Sequence, residues 1–244
     1  MKKVFTSGSC RLFFPIKNGR GVIIPIHSMH ELFKGNNFLG KLHNTKQHIQ
    51  FIKFIKGELD IPQYILDSFL TTYQKGISLR LTWCNYENID TIPQKIENLR
   101  KEFNNCDVYI FEICSLKLCR KDNWEVHLEH TQDYELTIQT EEELYNDLDT
   151  IIQLIPANKK IIFQPHFRPN IIYNDSTKSI NKREIIYNTI SKFIEENKNK
   201  YPNIHLHDIS SLEPSCFEDT DHLFENGNDE SFRRLYNIIY KEDE

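Results

Sequence analysis

Five short apolar runs, separated by longer amphipathic stretches, limit this chain more than any other feature. They are Lys2 to Thr6, Leu79 to Trp83, Asp107 to Ile113, Lys160 to Gln164 and the weaker Asn203 to His207. Short β-branched segments of this kind are what parallel strands covered on both faces look like. Between them, apolar residues recur at helical spacing over Thr45 to Lys56, Ile61 to Tyr73, Pro93 to Phe103, Glu141 to Ile155, Asn181 to Asn199 and Asp229 to Tyr240. Thr140 followed by Glu143 is a capping-box arrangement, so the fourth helix starts there. Strands alternating with helices predict an α/β fold, a three-layer α/β/α sandwich on a mostly parallel sheet of about five strands. Trp124 to Ile138 instead alternates apolar and polar residues, and reads as a β-hairpin inserted after the third strand.

Nothing divides the chain, so residues 1–244 read as a single domain. The acidic end, Lys241-Glu242-Asp243-Glu244, is compatible with one domain of a longer polypeptide. The formal net charge of −5, with basic residues scattered, argues against a nucleic-acid binder. No apolar run approaches the ~20 residues of a membrane span. Met1-Lys2-Lys3 leads directly into Val4-Phe5-Thr6 without the apolar stretch of a secretory signal. The expectation is a cytoplasmic protein, in the host cytoplasm if the source is a virus. The six cysteines form no C-x-x-C pair, which suits free thiols. His27, His30, His43 and His48 match no standard ligand spacing, so no metal is expected. The sequence does not set the oligomeric state; a dimer is compatible with it.

Ligands of parallel sheets sit at the carboxyl ends of the strands, so those loops should hold the reactive residues. The first strand runs into Ser7-Gly8-Ser9-Cys10-Arg11. A glycine turn lets a nucleophile stand exposed at the sheet edge, and a helix starting at Cys10 would favour its thiolate. Ser9 is a candidate cap of that helix. Phe217-Glu218-Asp219-Thr220-Asp221-His222 follows the fifth strand. Asp-x-x-His puts a carboxylate one turn before an imidazole, so Asp219 can orient His222 as a base. Asp221 is the rival orienter. Cys10, His222 and Asp219 are therefore the candidate catalytic residues. Glu112 reads as a strand-end charge paired with a lysine. His166 and Arg168, in Gln164-Pro165-His166-Phe167-Arg168, read as substrate or phosphate contacts.

A first strand ending in Gly-x-nucleophile and a last loop carrying Asp-x-x-His resemble the SGNH/GDSL hydrolase superfamily. There the first block reads Gly-Asp-Ser; here Gly8-Ser9-Cys10 puts cysteine in the nucleophile's place. That substitution resembles the cysteine branch of polysaccharide biosynthesis, the WcbI-like proteins and the family named for a Gly-Ser-Cys-Phe-Ala motif. The resemblance implies an acetyltransferase that moves an acetyl group from acetyl-CoA to a sugar, an amino sugar or nucleotide-linked sugar. Arg11 and Arg168 would then face coenzyme A phosphates. It also implies a glycine N–H for the oxyanion hole, for which Gly40 is the candidate and Gly35 the second. The family's asparagine after the middle strand is absent from Phe111 to Lys117, so Ser115 or Asn44 is the candidate replacement. Two other readings stay open: a glycan esterase or deacetylase, and a non-catalytic carbohydrate-binding domain.

Overall fold

The computed structural model describes residues 2–9, 11–12, 15–16, 26–28, 42–70, 92–127, 133–166, 177–218 and 222–240. The central sheet has five strands: β1 (Val4–Ser7), β2 (Ile26–Ser28), β3 (Val108–Ile113), β7 (Lys160–Pro165) and β8 (Ile204–Leu206). Their order is β2-β1-β3-β7-β8, and every neighbouring pair is parallel. Among the described residues the helices with defined bounds are α1 (Thr45–Ile55), α2 (Gln63–Leu70), α3 (Ile92–Phe103), α4 (Glu141–Leu154), α5 (Thr177–Asn197) and α6 (Glu225–Tyr240).

Side chains alternate across a strand, and here the two parities enter two different cores. Phe5, Tyr109, Phe111, Ile113, Ile161 and Phe163 join Phe51 of α1, Phe103 of α3, Leu148 of α4 and Ile190 of α5 in the larger cluster. Val4, Val108, Ile110 and Ile162 meet Phe232, Leu235 and Ile239 of α6, with Leu12 and Ile16, on the other face. The sheet is thus covered on both sides, a three-layer α/β/α sandwich. Phe5, Phe111 and Phe163 are fully buried, each stabilising by about 1.5–3 kcal/mol.

Local signals explain the helix starts. Thr140 and Glu143 cap α4 reciprocally, as their spacing predicts. Asn44 caps α1, its Oδ1 accepting from the Gln47 N–H at 2.9 Å. Asp147 of α4 ties the two helices together, accepting from Thr45, Lys46 and Gln139. α6 begins four residues before its apolar period, because Glu225 to Asn228 are polar and Gly227 is instead buried against Cys216.

Three differences from the sequence reading stand out. The run Leu79 to Trp83 lies outside the described residues, and the fifth strand of the sheet is Ile26–Ser28, three residues too few to show a period. The insertion is a three-stranded antiparallel sheet rather than one hairpin. Its central strand is β4 (Lys117–Lys121), flanked by β5 (Trp124–Glu125) and β6 (Glu135–Ile138). Asp122 and Asn123, at φ 51° and 67°, turn β4 into β5 with the two positive-φ residues of a tight hairpin. That turn carries no glycine, which is why β4 escaped notice. Among the described residues no helix is long and apolar enough to cross a membrane.

The sheet order locates the crevice. The chain leaves β1 for β2 on one side and returns through β3 on the other. Loops diverge at the carboxyl ends of β1 and β3, which is where open parallel sheets bind ligands.

Candidate active site

Gly8 and Ser9 continue β1 into that crevice. A Cβ on Gly8 would lie 2.6 Å from Cβ of Glu112, so only glycine lets the two strands approach this closely. Glu112 belongs to β3 and is fully buried. Its Oε2 accepts the Ser9 N–H at 2.6 Å, and its Oε1 accepts Nε–H of Arg11 at 2.6 Å. Burial pushes its pKa up, but the Arg11 charge and the Ser9 and Arg11 hydrogen bonds outweigh that and hold it below the ordinary carboxylate range. Glu112 is therefore an ionised carboxylate inside the protein, paired with arginine and not with the lysine that the sequence suggested.

The other face is equally ordered. Nε2 of His48 lies 2.8 Å from the Glu112 carbonyl oxygen, and Nδ1 lies 2.8 Å from Oγ of Ser7. A carbonyl only accepts, so Nε2 carries the proton and Nδ1 accepts the serine hydroxyl. Burial pushes the His48 pKa down to about 4, against the pull of the Glu112 carbonyl and charge. His48 is thus a neutral strut between β1 and β3. The segment before α1 lies across the same edge: the Leu42 N–H donates to the Gly8 carbonyl, and the His43 carbonyl accepts from the N–H groups of Cys114 and Ser115.

On the α6 face the carboxyl end of the sheet turns polar. Glu112 stands opposite Gln164 of β7 in register. Oε1 of Gln164 accepts Nδ1–H of His207, just beyond β8, at 2.8 Å. Gln164 and His207 are each 1% exposed. Glu112, Gln164 and His207 thus form one polar row beneath the crevice, next to Gly8, replacing the apolar layer of Val4, Ile110 and Ile162. Burial pushes the His207 pKa down to about 4, so this ring too is neutral near pH 7.

His222 sits on a separately built loop. Phe217 and Leu223 form an antiparallel bridge, and the Glu218 N–H donates to the His222 carbonyl at 3.0 Å. A small core of Ile209, Leu212, Cys216, Phe217 and Leu223 supports this turn. The His222 residue is exposed. α6 leaves this loop and runs back along the sheet. Its last carbonyls, Ile238 and Ile239, accept from Nζ of Lys160 and Lys2 at the amino ends of β7 and β1. The start of α6 therefore points to the carboxyl edge, the same edge as Ser9.

The remaining sequence candidates divide. Cys10, Gly35, Gly40, Arg168, Asp219 and Asp221 lie outside the described residues. Ser9 is buried, its Oγ 3.4 Å from the Arg11 N–H, a long version of the expected cap. Asn44 is spent on the α1 cap and on the Lys117 carbonyl, to which its Nδ2 donates at 2.9 Å. Oγ of Ser115 accepts from the Lys117 N–H at 3.0 Å. His166 is buried at the end of β7, its N–H donating to the Ile113 carbonyl. Arg11 is drawn inward to Glu112, where the sequence had it facing a phosphate. Glu112, His48, Gln164 and His207 are the residues that sequence reasoning missed as a group. The parity of Glu112 with Val108 and Ile110 was the available signal.

The family model of the TviD N-terminal domain matches residues 2–135, more than half of the chain. The chain belongs to that family. The TviD N-terminal match spans β1 to the start of β6, including Gly8, Ser9, His48 and Glu112; Gln164, His207 and His222 lie beyond it. Membership points to polysaccharide biosynthesis. No curated protein matches the chain.

Proposed function

We propose that the chain is an acetyltransferase of polysaccharide biosynthesis, moving an acetyl group from acetyl-CoA to a sugar through Cys10, His222 and Asp219. The observation that carries the reading is the fixing of the chain on both sides of Cys10. Ser9 through its N–H and Arg11 through its guanidinium are held by Glu112 at the switch point of the sheet. The TviD N-terminal family supplies the biosynthetic setting.

The chemistry follows from the thiol. His222, oriented by Asp219, takes the Cys10 proton. The thiolate attacks the acetyl-CoA carbonyl; a carbon–sulfur bond to Cys10 forms, and the bond to coenzyme A breaks. The leaving coenzyme A thiolate takes the proton from His222. His222 then deprotonates the acceptor hydroxyl or amine as it attacks the acetyl-cysteine, and Cys10 leaves as thiolate. Exchange between two thioesters is nearly balanced, so a cysteine loads from coenzyme A without a large uphill step. This favours transfer over hydrolysis. The acceptor in this reading is an amino sugar or nucleotide-linked sugar.

The test is incubation with radiolabelled acetyl-CoA without acceptor, followed by intact mass, for wild type, Cys10→Ala and His222→Ala. One acetyl adduct, lost in Cys10→Ala and slowed in His222→Ala, is the expected result. No adduct and no coenzyme A binding by calorimetry would overturn the reading.

A further inference from the structure

The buried pair Glu112–Arg11 needs an explanation of its own. A charged pair in a protein interior is weak evidence for stability, because desolvation opposes the attraction. Glu112 is fully buried and the Arg11 side chain is 11% exposed. An apolar pair of similar volume would serve a core at least as well. The core around it is otherwise built that way: Val108 and Ile110 precede Glu112 on the same face of β3.

The carboxylate does something that an apolar residue could not. One oxygen takes the N–H of residue 9, and the other takes the guanidinium of residue 11. Two residues flanking position 10 are thereby tied to a single side chain on the neighbouring strand. Gly8 brings that strand within reach, and the His48 ring holds the Glu112 backbone from the opposite face. The carboxylate also neutralises the one cation adjacent to Cys10 in the chain.

We propose that Glu112 is the positioning residue of the reactive loop, anchoring the residues before and after Cys10 in the chain and cancelling the charge of the following residue, Arg11. The inference rests on the acyl-transfer reading for its catalytic consequence, and on the geometry of Ser9, Arg11 and Glu112 for the rest. Glu112 touches no reacting atom in this scheme. It acts through Ser9 and Arg11.

The test compares wild type with Glu112→Gln and with Glu112→Gln/Arg11→Met. Each is alkylated with iodoacetamide near neutral pH, and the rate is read peptide by peptide at Cys10, Cys114 and Cys216. In Glu112→Gln the Arg11 cation loses the Glu112 carboxylate and favours the Cys10 thiolate, so alkylation there rises about tenfold, the equivalent of one pKa unit. Cys114 and Cys216 keep their rates. The double variant removes both charges, so it folds even where the single one leaves a buried cation without the Glu112 carboxylate. Its Cys10 rate returns to within about twofold of wild type, one pKa unit being tenfold. Acetyl transfer stays lowered in both variants, by about 100-fold in kcat with little change in KM for acetyl-CoA, because the anchor is gone. An unchanged Cys10 rate in Glu112→Gln, a parallel rise at all three cysteines, or full transfer by the double variant overturns the proposal. Alkylation needs no acetyl-CoA, so a wild type with neither an acetyl adduct nor coenzyme A binding defeats the acetyltransferase reading while the Cys10 rates still decide the role of Glu112.

Discussion

The Ser7 hydroxyl donates to Nδ1 of His48 at 2.8 Å, and the opposite nitrogen of that ring donates to the Glu112 carbonyl at 2.8 Å. One imidazole thus joins the last residue of β1 to β3, at the edge where the reactive loop begins. The ring is held neutral by burial: a second proton could still be accepted by the serine oxygen, but its charge would be cut off from water.

That burial sets a pH dependence. His48 and His207 both have folded pKa values pushed down to about 4 by burial, from an ordinary 6.5. The unfolded chain binds protons that the folded one refuses. Stability is therefore fully present above pH 6.5 and is lost as pH falls towards 4, by about 3 kcal/mol for each ring. Glu112, with its lowered pKa, adds a further loss at lower pH. Urea midpoints measured across this window should fall steadily, and His48→Gln should remove about half of the slope. An unchanged slope in that variant would mean that the ring already titrates normally in the folded state.

Gly8→Ala places a methyl 2.6 Å from Cβ of Glu112, and 3.0 Å from its Oε2. β1 and β3 must move apart to admit it. Overpacking of this kind costs about 1–3 kcal/mol, equivalent to a fall of roughly 2–4 °C in Tm per kcal/mol for a chain of this size. A thermal melt checks the first number. Acetyl-adduct formation should fall further than the stability does, because the displaced strand carries the reactive loop.

Gly227→Ala tests the other loop. A Cβ there collides with the backbone carbonyl of Cys216, which no rotamer change relieves. The Phe217–Leu223 bridge must shift, and His222 with it. The expected result is a folded protein destabilised by about 1–3 kcal/mol, with adduct formation slowed as in His222→Ala. Wild-type labelling kinetics in this variant would show that the position of the His222 loop does not matter to the reaction.

Asn44→Asp separates the two bonds of the α1 cap. A carboxylate still accepts from the Gln47 N–H, but it cannot donate to the Lys117 carbonyl. That carbonyl is left facing a negative charge, so the variant should lose about 1–3 kcal/mol in a urea titration despite its good capping propensity. A neutral or stabilising result would show that the Lys117 contact contributes nothing.

How far the sequence could be read depended on the range of each interaction. Four of the five strands of the central sheet, helices α1 to α6 and the start of α4 follow from periods and caps confined to a few neighbouring residues. Ile26–Ser28 and Lys117–Lys121 escaped because three to five residues carry no period, yet each is fixed by pairing in register with another strand, Ile26 with Val4 and Lys117 with Ile138, more than twenty positions away. The Gly8-Ser9-Cys10 and Asp219-Thr220-Asp221-His222 blocks were legible as motifs. What Glu112 does was not.

The sequence by itself determined that this chain is an α/β protein, that Gly8 ends its first strand, and that a thiol follows one residue after Ser9. Those are matters of local propensity and order. Only the tertiary structure decided that Glu112 of β3 faces Ser9 and Arg11, that His48 is a strut and not a ligand, and that Gln164 and His207 extend the polar row. The physical reason is that a buried carboxylate or imidazole takes its meaning from its partners. Those partners lie 41 to 103 residues away, for His48 with Ser7 and for Glu112 with Ser9, and meet only through the strand order.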